Sequence, residues 1–464
     1  MKRILAVTLA VIMAALLFAA CQDGGQSSPS GSPSSGGESP SPSASGGGQE
    51  PAPPAGGGED NTPAAGGSGY AEIGFFDPNY DYSQHKTFKV AYVSNSNDFL
   101  TLEFDAAYKD WAPRMNINYT GLWASTSGNN DEYLSGLQLH CEQDYDGLLL
   151  QPDLSIYSRI VEILDDAGMP WISGIGQARA DNGAGALLHP SVGFSDLDVG
   201  YKLMQYCLDW KDANYPDVSW DKVGVIAIDM GVSVEIMRRT FGTELKWVEK
   251  HPEMGEANES REINPKNYWI CDTAMGTFDQ VTAQNMTTQV VTGNPGIEVW
   301  LVPAAVDFYA MGAAQALENL GLAEKSEIVC NGGSQLPLQL DSGKETAWRS
   351  ALFTPQTMYS EPMIAQLWAF MAGLATAETI YPEWIKWDDK GDVFDDAGNL
   401  VEEHNYAQVL IPSFWIDKDN YKSYLEWTDL YGYGSEVEGH YSYEPVTDLS
   451  LYTARETVPP EYKK

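Results

Sequence analysis

From Lys86 onward, short apolar runs alternate with stretches of helix length, and this alternation decides the fold class. Strands are expected at Phe88 to Val93, Tyr119 to Trp123, Gly147 to Leu150 and Pro170 to Ser173. Helical patterns cover Phe104 to Trp111, Glu132 to His140 and Ile156 to Asp166 between them. The series resumes with strands at Val223 to Ile228, Val299 to Val302 and Glu327 to Cys330. Its helical patterns fall at Glu235 to Glu249, Thr282 to Val291 and Tyr309 to Leu320. Strands and helices alternating through short connections build parallel sheets covered by helices. The expected architecture is therefore α/β, with two Rossmann-like lobes whose parallel sheets are joined by a hinge. A loop-like cluster over Lys211 to Trp220 separates the two series, and a lobe crossing is expected there.

The start of the chain sets the compartment. Met1-Lys2-Arg3 is followed by an apolar run from Ile4 to Phe18 and by Ala19-Ala20-Cys21. A charged start, an apolar core and small residues before a cleavage site define a secretory signal peptide, expected over residues 1–21. Phe18-Ala19-Ala20-Cys21 resembles the bacterial lipoprotein box, although Phe18 stands where Leu is usual. The resemblance implies lipid modification of Cys21; plain secretion is the alternative. Residues 22–70 are Ser, Gly and Pro with scattered Gln, Glu and Asp. Such a stretch has too little to bury to offset the entropy of ordering, and reads as a flexible tether.

With 65 Asp and Glu against 27 Lys and Arg, the formal net charge is −38, which disfavours nucleic acid and anionic lipid surfaces as partners. Apart from Cys21, the cysteines are Cys141, Cys207, Cys271 and Cys330, with no zinc-like spacing. Disulfides are permitted outside the cell, with connectivity open, and Cys330 within Ile328-Val329-Cys330 reads as a buried small hydrophobe. Gly174-Ile175-Gly176 and Gly183-Ala184-Gly185 lack the full dinucleotide spacing. No Gly-x-Ser-x-Gly elbow occurs, and the 6 His show no metal pair, so neither an enzyme nor a cofactor is expected. The acidic segment Gly391 to Asn399 misses the calcium-loop spacing and reads as a hairpin.

In doubly wound sheets, ligands bind beyond the carboxyl ends of the strands. Those ends carry short amides and carboxylates: Asn95, Asn97 and Asp98 before Phe99, then Gln151 and Asp153, Asn331, and Gln356. Such side chains donate to and accept from hydroxyls in fixed geometry, and aromatic faces cover the C–H side of a sugar ring. Each alone is also an ordinary turn residue.

Several stretches, in order, resemble the type I periplasmic binding proteins, the ribose- and galactose-binding proteins of ABC importers, over roughly residues 86–420. They are VAYVSNSNDF, DGLLLQPD with DDAGMPWI, GFSDLDVGYKL, GVSVEIMRRTFGTEL, and the long run from Phe278 to Leu322. The resemblance implies an amino-terminal lobe of 86–210 plus about 356–380 and a carboxy-terminal lobe of 211–355 plus about 405–420. Residues 421–464 would form an extension. It also implies ligand contacts at Asn97, Phe99, Arg239, Phe278, Asp307, Asn331 and Gln356, with Asp196 near the crossover and Phe99 and Phe278 stacking on opposite faces. Two family anchors are missing. Ile175-Gly176 replaces an Asp-Arg pair, and Val306 replaces a ligand Asn, so hydrogen bonds are expected from other positions, with Gln177, Trp171 and Trp123 as candidates.

The implied function is an extracellular, lipid-anchored, monomeric solute-binding protein that closes on a small polar molecule, a monosaccharide or related compound, and delivers it to an ABC permease. A clamp that reports to a membrane histidine kinase is the second reading, and a surface carbohydrate-active enzyme the third.

Overall fold

A computed structural model describes residues 74–381, 393–394, 400–402 and 406–421, except 98, 127, 175–177, 179–186, 232, 274–278, 344–345 and 355–356. The signal peptide, Cys21, the tether and all of the 421–464 extension but Tyr421 lie outside the described residues.

The first lobe is a four-stranded parallel sheet in the order β2-β1-β3-β4. Its strands are β1 (Phe88–Ser94), β2 (Ile117–Ala124), β3 (Gly147–Gln151) and β4 (Trp171–Ser173). Between them run α1 (Phe99–Arg114), α2 (Asn130–Cys141) and α3 (Tyr157–Ala167). Every residue of β3 is buried, as expected of a strand covered on both faces. One face packs Phe88, Val90 and Tyr92 against Phe104, Tyr108 and Trp111 of α1; the other packs Ala91, Val93, Leu148 and Leu150 against Tyr133, Leu137 and Ile160. Asn129 caps α2 by accepting from the Glu132 amide, and Gly168 ends α3 in the left-handed region that glycine tolerates.

The second lobe has six strands in the order β14-β10-β9-β8-β6-β7. They are β6 (Val223–Asp229), β7 (Tyr268–Asp272), β8 (Val299–Ala304), β9 (Ser326–Asn331), β10 (Trp348–Phe353) and β14 (Phe414–Asp417). All pairs are parallel except β10 with β14. Helices α4 (Asp196–Asn214), α5 (Val234–Lys250), α6 (Gln280–Gly293), α7 (Asp307–Asn319) and the short α8 (Leu336–Asp341) cover it. Helix α9 (Thr357–Met371) returns to the first lobe, where Met363, Ile364 and Leu367 join its core. A small parallel pair, β5 (Ser191–Gly193) with β13 (Gln408–Leu410), sits beside that core through Val192, Val409 and Ile411.

The chain thus passes between the lobes three times, over 193–196, 353–357 and 410–414. The first crossing lies ahead of α4 rather than at Lys211 to Trp220. Leu203, Met204, Cys207 and Leu208 of α4 pack with Val223, Val225 and Leu301 of the second sheet, so 196–210 belongs with that lobe. Lys211 to Trp220 is only the turn from α4 into β6. Elements β7 and α9 were absent from the sequence pattern, and α4 was implied only by the resemblance of GFSDLDVGYKL. Strands β11 (Val393–Phe394) and β12 (Leu400–Glu402) pair antiparallel around the acidic segment, whose tip is outside the described residues. Cys141, Cys207, Cys271 and Cys330 are all free thiols.

Candidate ligand site

The carboxyl ends of both sheets face the crossings, and the seam between the lobes is built there. Phe194, in the first crossing, packs against the cores of both lobes. The Arg239 guanidinium lies 5.4 Å from one side of its ring, and the Tyr359 ring lies 6.4 Å away. Arg239 is 5% exposed. Its Nε and Nη2 donate to Asp196 Oδ1 at 3.1 and 2.6 Å, and its Nη1 donates to the Ala305 carbonyl at 2.5 Å. The fork is thereby bonded to the first residue of α4 and to the end of β8. This arrangement ties α4 and α5 to the sheet as much as it presents a donor.

Close helix packing sets that geometry. A Cβ on Gly200 of α4 would lie 1.7 Å from the Arg239 carbonyl oxygen, and one on Gly242 of α5 would lie 2.2 Å from the Leu197 carbonyl oxygen. Only glycine permits this approach. It brings the start of α4 alongside Arg239.

One helical turn before Arg239, Glu235 shares its face of α5. Glu235 is partly buried and accepts weakly from Ser233 Oγ at 3.4 Å. Burial first, and the Asp196 charge second, hold its carboxyl well above the ordinary range, against the pull of Arg239. Asp153, from the loop after β3 of the first lobe, adds to that rise. Its Oδ1 accepts from the Ser155 amide at 2.8 Å and the Ser155 hydroxyl at 2.5 Å, an Asx turn that opens α3. Next to Glu235, Val234 packs into the first lobe's Ala91–Leu148–Tyr157 core, so α5 abuts the first sheet directly. Tyr157 donates to Ser173 Oγ at 2.7 Å, and burial pushes its phenol far up. Tyr359 on α9 is 3% exposed, and among the described residues neither its hydroxyl nor the Thr354 hydroxyl of the second crossing has a hydrogen-bond partner.

The remaining sequence-derived candidates fall in different places. Asn97 is exposed beyond β1, and Phe99 opens α1. Asn331, at the end of β9, is buried and donates from Nδ2 to the Leu352 carbonyl at 3.1 Å. Asp307 begins α7 and accepts from the Gly333 amide at 2.8 Å and the Cys330 thiol at 3.2 Å. Burial lifts its carboxyl to about 6. Its hydrogen bonds fasten the loop after β9, which is a structural duty. Phe278, Gln356 and Gln177 lie outside the described residues. Trp123 lies over Gly136 and His140 of α2, and Trp171 lies 4.0 Å from His189, so both pack within the first lobe and not at the seam. Glu235, Tyr157, Phe194 and Tyr359 were missed. The one available signal was the i, i+4 spacing of Glu235 and Arg239.

Among the described residues no group of His, Cys, Asp or Glu could hold a metal ion, and no helix is long and apolar enough to cross a membrane. A hollow of about 510 Å³ lined by Lys211, Asp217, Trp220, Met254 and Lys266 sits at the amino end of β6, away from the seam. Its wide mouth and mixed charges give it none of the converging groups seen at the crossings.

This is the two-lobed fold of the type I periplasmic binding proteins. The structure is similar to an ABC transporter solute-binding protein from Agrobacterium vitis solved with alpha-D-tagatopyranose: 14% identity over 72% of this chain and 95% of that one, TM-score 0.51. A second protein of that description from the same organism, solved with D-fucose, shows 12% identity over 72% of this chain and 96% of that one, TM-score 0.51. No family model matches the chain, and no curated protein matches it.

Proposed function

We propose that the chain is a solute-binding protein that captures a small polyhydroxylated molecule, a sugar or polyol, between its lobes and presents it to an ABC permease. The observation that carries this reading is the seam, where Phe194 packs against the cores of both lobes and Val234 of α5 enters the first lobe's core beside three crossings. Three strands of connection form a hinge, and a guest bonded to both lobes favours the closed arrangement by its differential affinity. The likeness in fold to solute-binding proteins solved with sugars supports the same reading. The ligand contacts expected at Asn97, Phe99, Asp153, Asp196, Phe278 and Gln356 would line this seam. A lipid on Cys21 and the 22–70 tether would hold the clamp at the outer face of the cell membrane.

A thermal-shift panel of monosaccharides, oligosaccharides, polyols and nucleosides tests this directly. A guest at 100 times its Kd that binds only the folded chain adds about 2.7 kcal/mol of stability and raises the melting temperature. If no sugar or polyol in the panel shifts the transition, the proposal fails.

A further inference from the structure

The connection from α5 to β7, over residues 251–267, is far longer than the about 2 to 6 residues that usually join a helix to the next strand of such a sheet. Beyond one turn at Pro252–Met254, residues 255–267 have no regular structure, and connections of this length commonly carry function. The base of the loop is closed toward the amino end of the sheet. There the Lys266 amide donates to the Met254 carbonyl at 2.7 Å, and the Val225 amide donates to the Asn267 carbonyl at 2.9 Å. Midway along α5, the Asn258 amide donates to Glu244 Oε1 at 2.8 Å. At the far turn, Arg261 pairs through Nη2 with Oδ2 of Asp229, the last residue of β6. The loop is thus a flap that runs from the amino end of the second sheet to its carboxyl end and back. Arg261 has a φ of 61°, in the left-handed region that such a side chain seldom occupies. Strain of this kind persists only where the surroundings over-determine it, and it collects at ligand sites.

The turn of the flap falls beside the seam. Strand β6 lies between β8 and β7, about 4.8 Å from each. Arg239 holds the Ala305 carbonyl, one residue past the end of β8, and Asp229 ends the adjacent strand. On its other side Asp229 pairs with Asp272, whose Oδ1 accepts from the Gly231 amide at 2.8 Å. The Asp229 side chain is fully buried, whereas that of Arg261 is 20% exposed. Among the described residues only Nη2 of the guanidinium is hydrogen-bonded, and a guanidinium carries five N–H donors in a rigid fork. Resting on the reading of the chain as a sugar or polyol binder, we infer that Arg261 is a specificity-determining residue of that site, donating from its fork to one hydroxyl of the guest. Asp229 is its positioning residue: the ion pair fixes where the fork stands, and the flap delivers it to the carboxyl end of β6.

The test is calorimetry on the whole chain with galactose, glucose, ribose and sorbitol, each beside its analogues lacking a single hydroxyl. For the compound that binds, Arg261→Ala should weaken affinity at least about tenfold, the weight of one charge-assisted hydrogen bond. The analogue lacking the hydroxyl that Arg261 meets should lose nothing further on that substitution, while the other analogues lose the full factor. Arg261→Lys keeps a charge for Asp229 and removes the fork. It should give the same pattern, and it decides the matter if circular dichroism shows Arg261→Ala unfolded. If the substitutions leave affinity unchanged, or weaken the parent compound and every analogue by one common factor, the ion pair only fastens the flap. The inference is then overturned and capture between the lobes stands. If no sugar or polyol binds the parent chain, the inference and the reading beneath it fall together.

Discussion

At the residue scale, the buried acids separate structural from functional roles. Glu244 on α5 is 1% exposed, and its Oε1 accepts from the Asn258 amide at 2.8 Å. Burial pushes its carboxyl up to about 7 from an ordinary 4.5. A carboxyl raised in this way keeps its proton in the folded chain after the unfolded chain has released it. Its contribution is fully present below the unfolded value. It declines by on the order of 1 kcal/mol per pH unit as the pH rises toward the folded value, where the loss is complete. Glu244→Gln keeps the acceptor and removes the proton. The melting temperature of the variant should fall less between about pH 5 and about pH 7 than that of the parent, and the variant should be the more stable chain at about pH 8. Parallel pH profiles would contradict this account of Glu244. Arg239 teaches a related lesson. Its place in the chain was legible from the Arg-Arg-Thr-Phe-Gly run, but its bonds to Asp196 and the Ala305 carbonyl were not, because partners 43 and 66 residues away leave no local trace.

At the element scale, legibility followed burial. Strands β3, β6, β8 and β9 are buried along their whole length and show in the sequence as short apolar cores, with polar residues at the ends of β3, β6 and β9. The resemblance implies a glycine-containing helix in this stretch, but the extent of α4 was not legible because its buried face includes Asp198, Lys211, Gly200 and Cys207, which interrupt an apolar stripe. Strand β7 alternates only partly and carries exposed Asp272 at its end, while α9 has Pro362 inside it and buries Ser360, Glu361 and Gln366 among its apolar residues. Misplacing the crossing at Lys211 followed from not seeing that α4 runs to Asn214 on the second sheet. That helix is held by its approach to α5, and Gly200 is the tightest point of contact, facing backbone that cannot rotate away. Gly200→Ala should therefore lower stability by about 3 kcal/mol or more, beyond the usual range for overpacking a core. Urea unfolding measures it; a midpoint equal to that of the parent would show that α4 and α5 separate freely.

At the scale of the molecule, two sheets with their helices explain the alternation, and the three crossings explain why the last strands stand so far from their partners in sequence. The α/β class and the hinged pair of lobes were readable from periodicity and from the resemblance. The seam was only partly so. In a chain with 65 acidic residues, nothing in the sequence distinguishes Glu235, pressed between lobes, from an acid on a solvated surface. Tyr157 and Tyr359 likewise read as core aromatics, and both are buried in the cores of the first lobe.

The most direct measurement is a crystal structure of the chain with whichever guest raises its melting temperature. One guest should lie in the seam, bonded to both lobes. A guest lodged instead on the outer face, beside Trp220 at the amino end of β6, would contradict capture between the lobes.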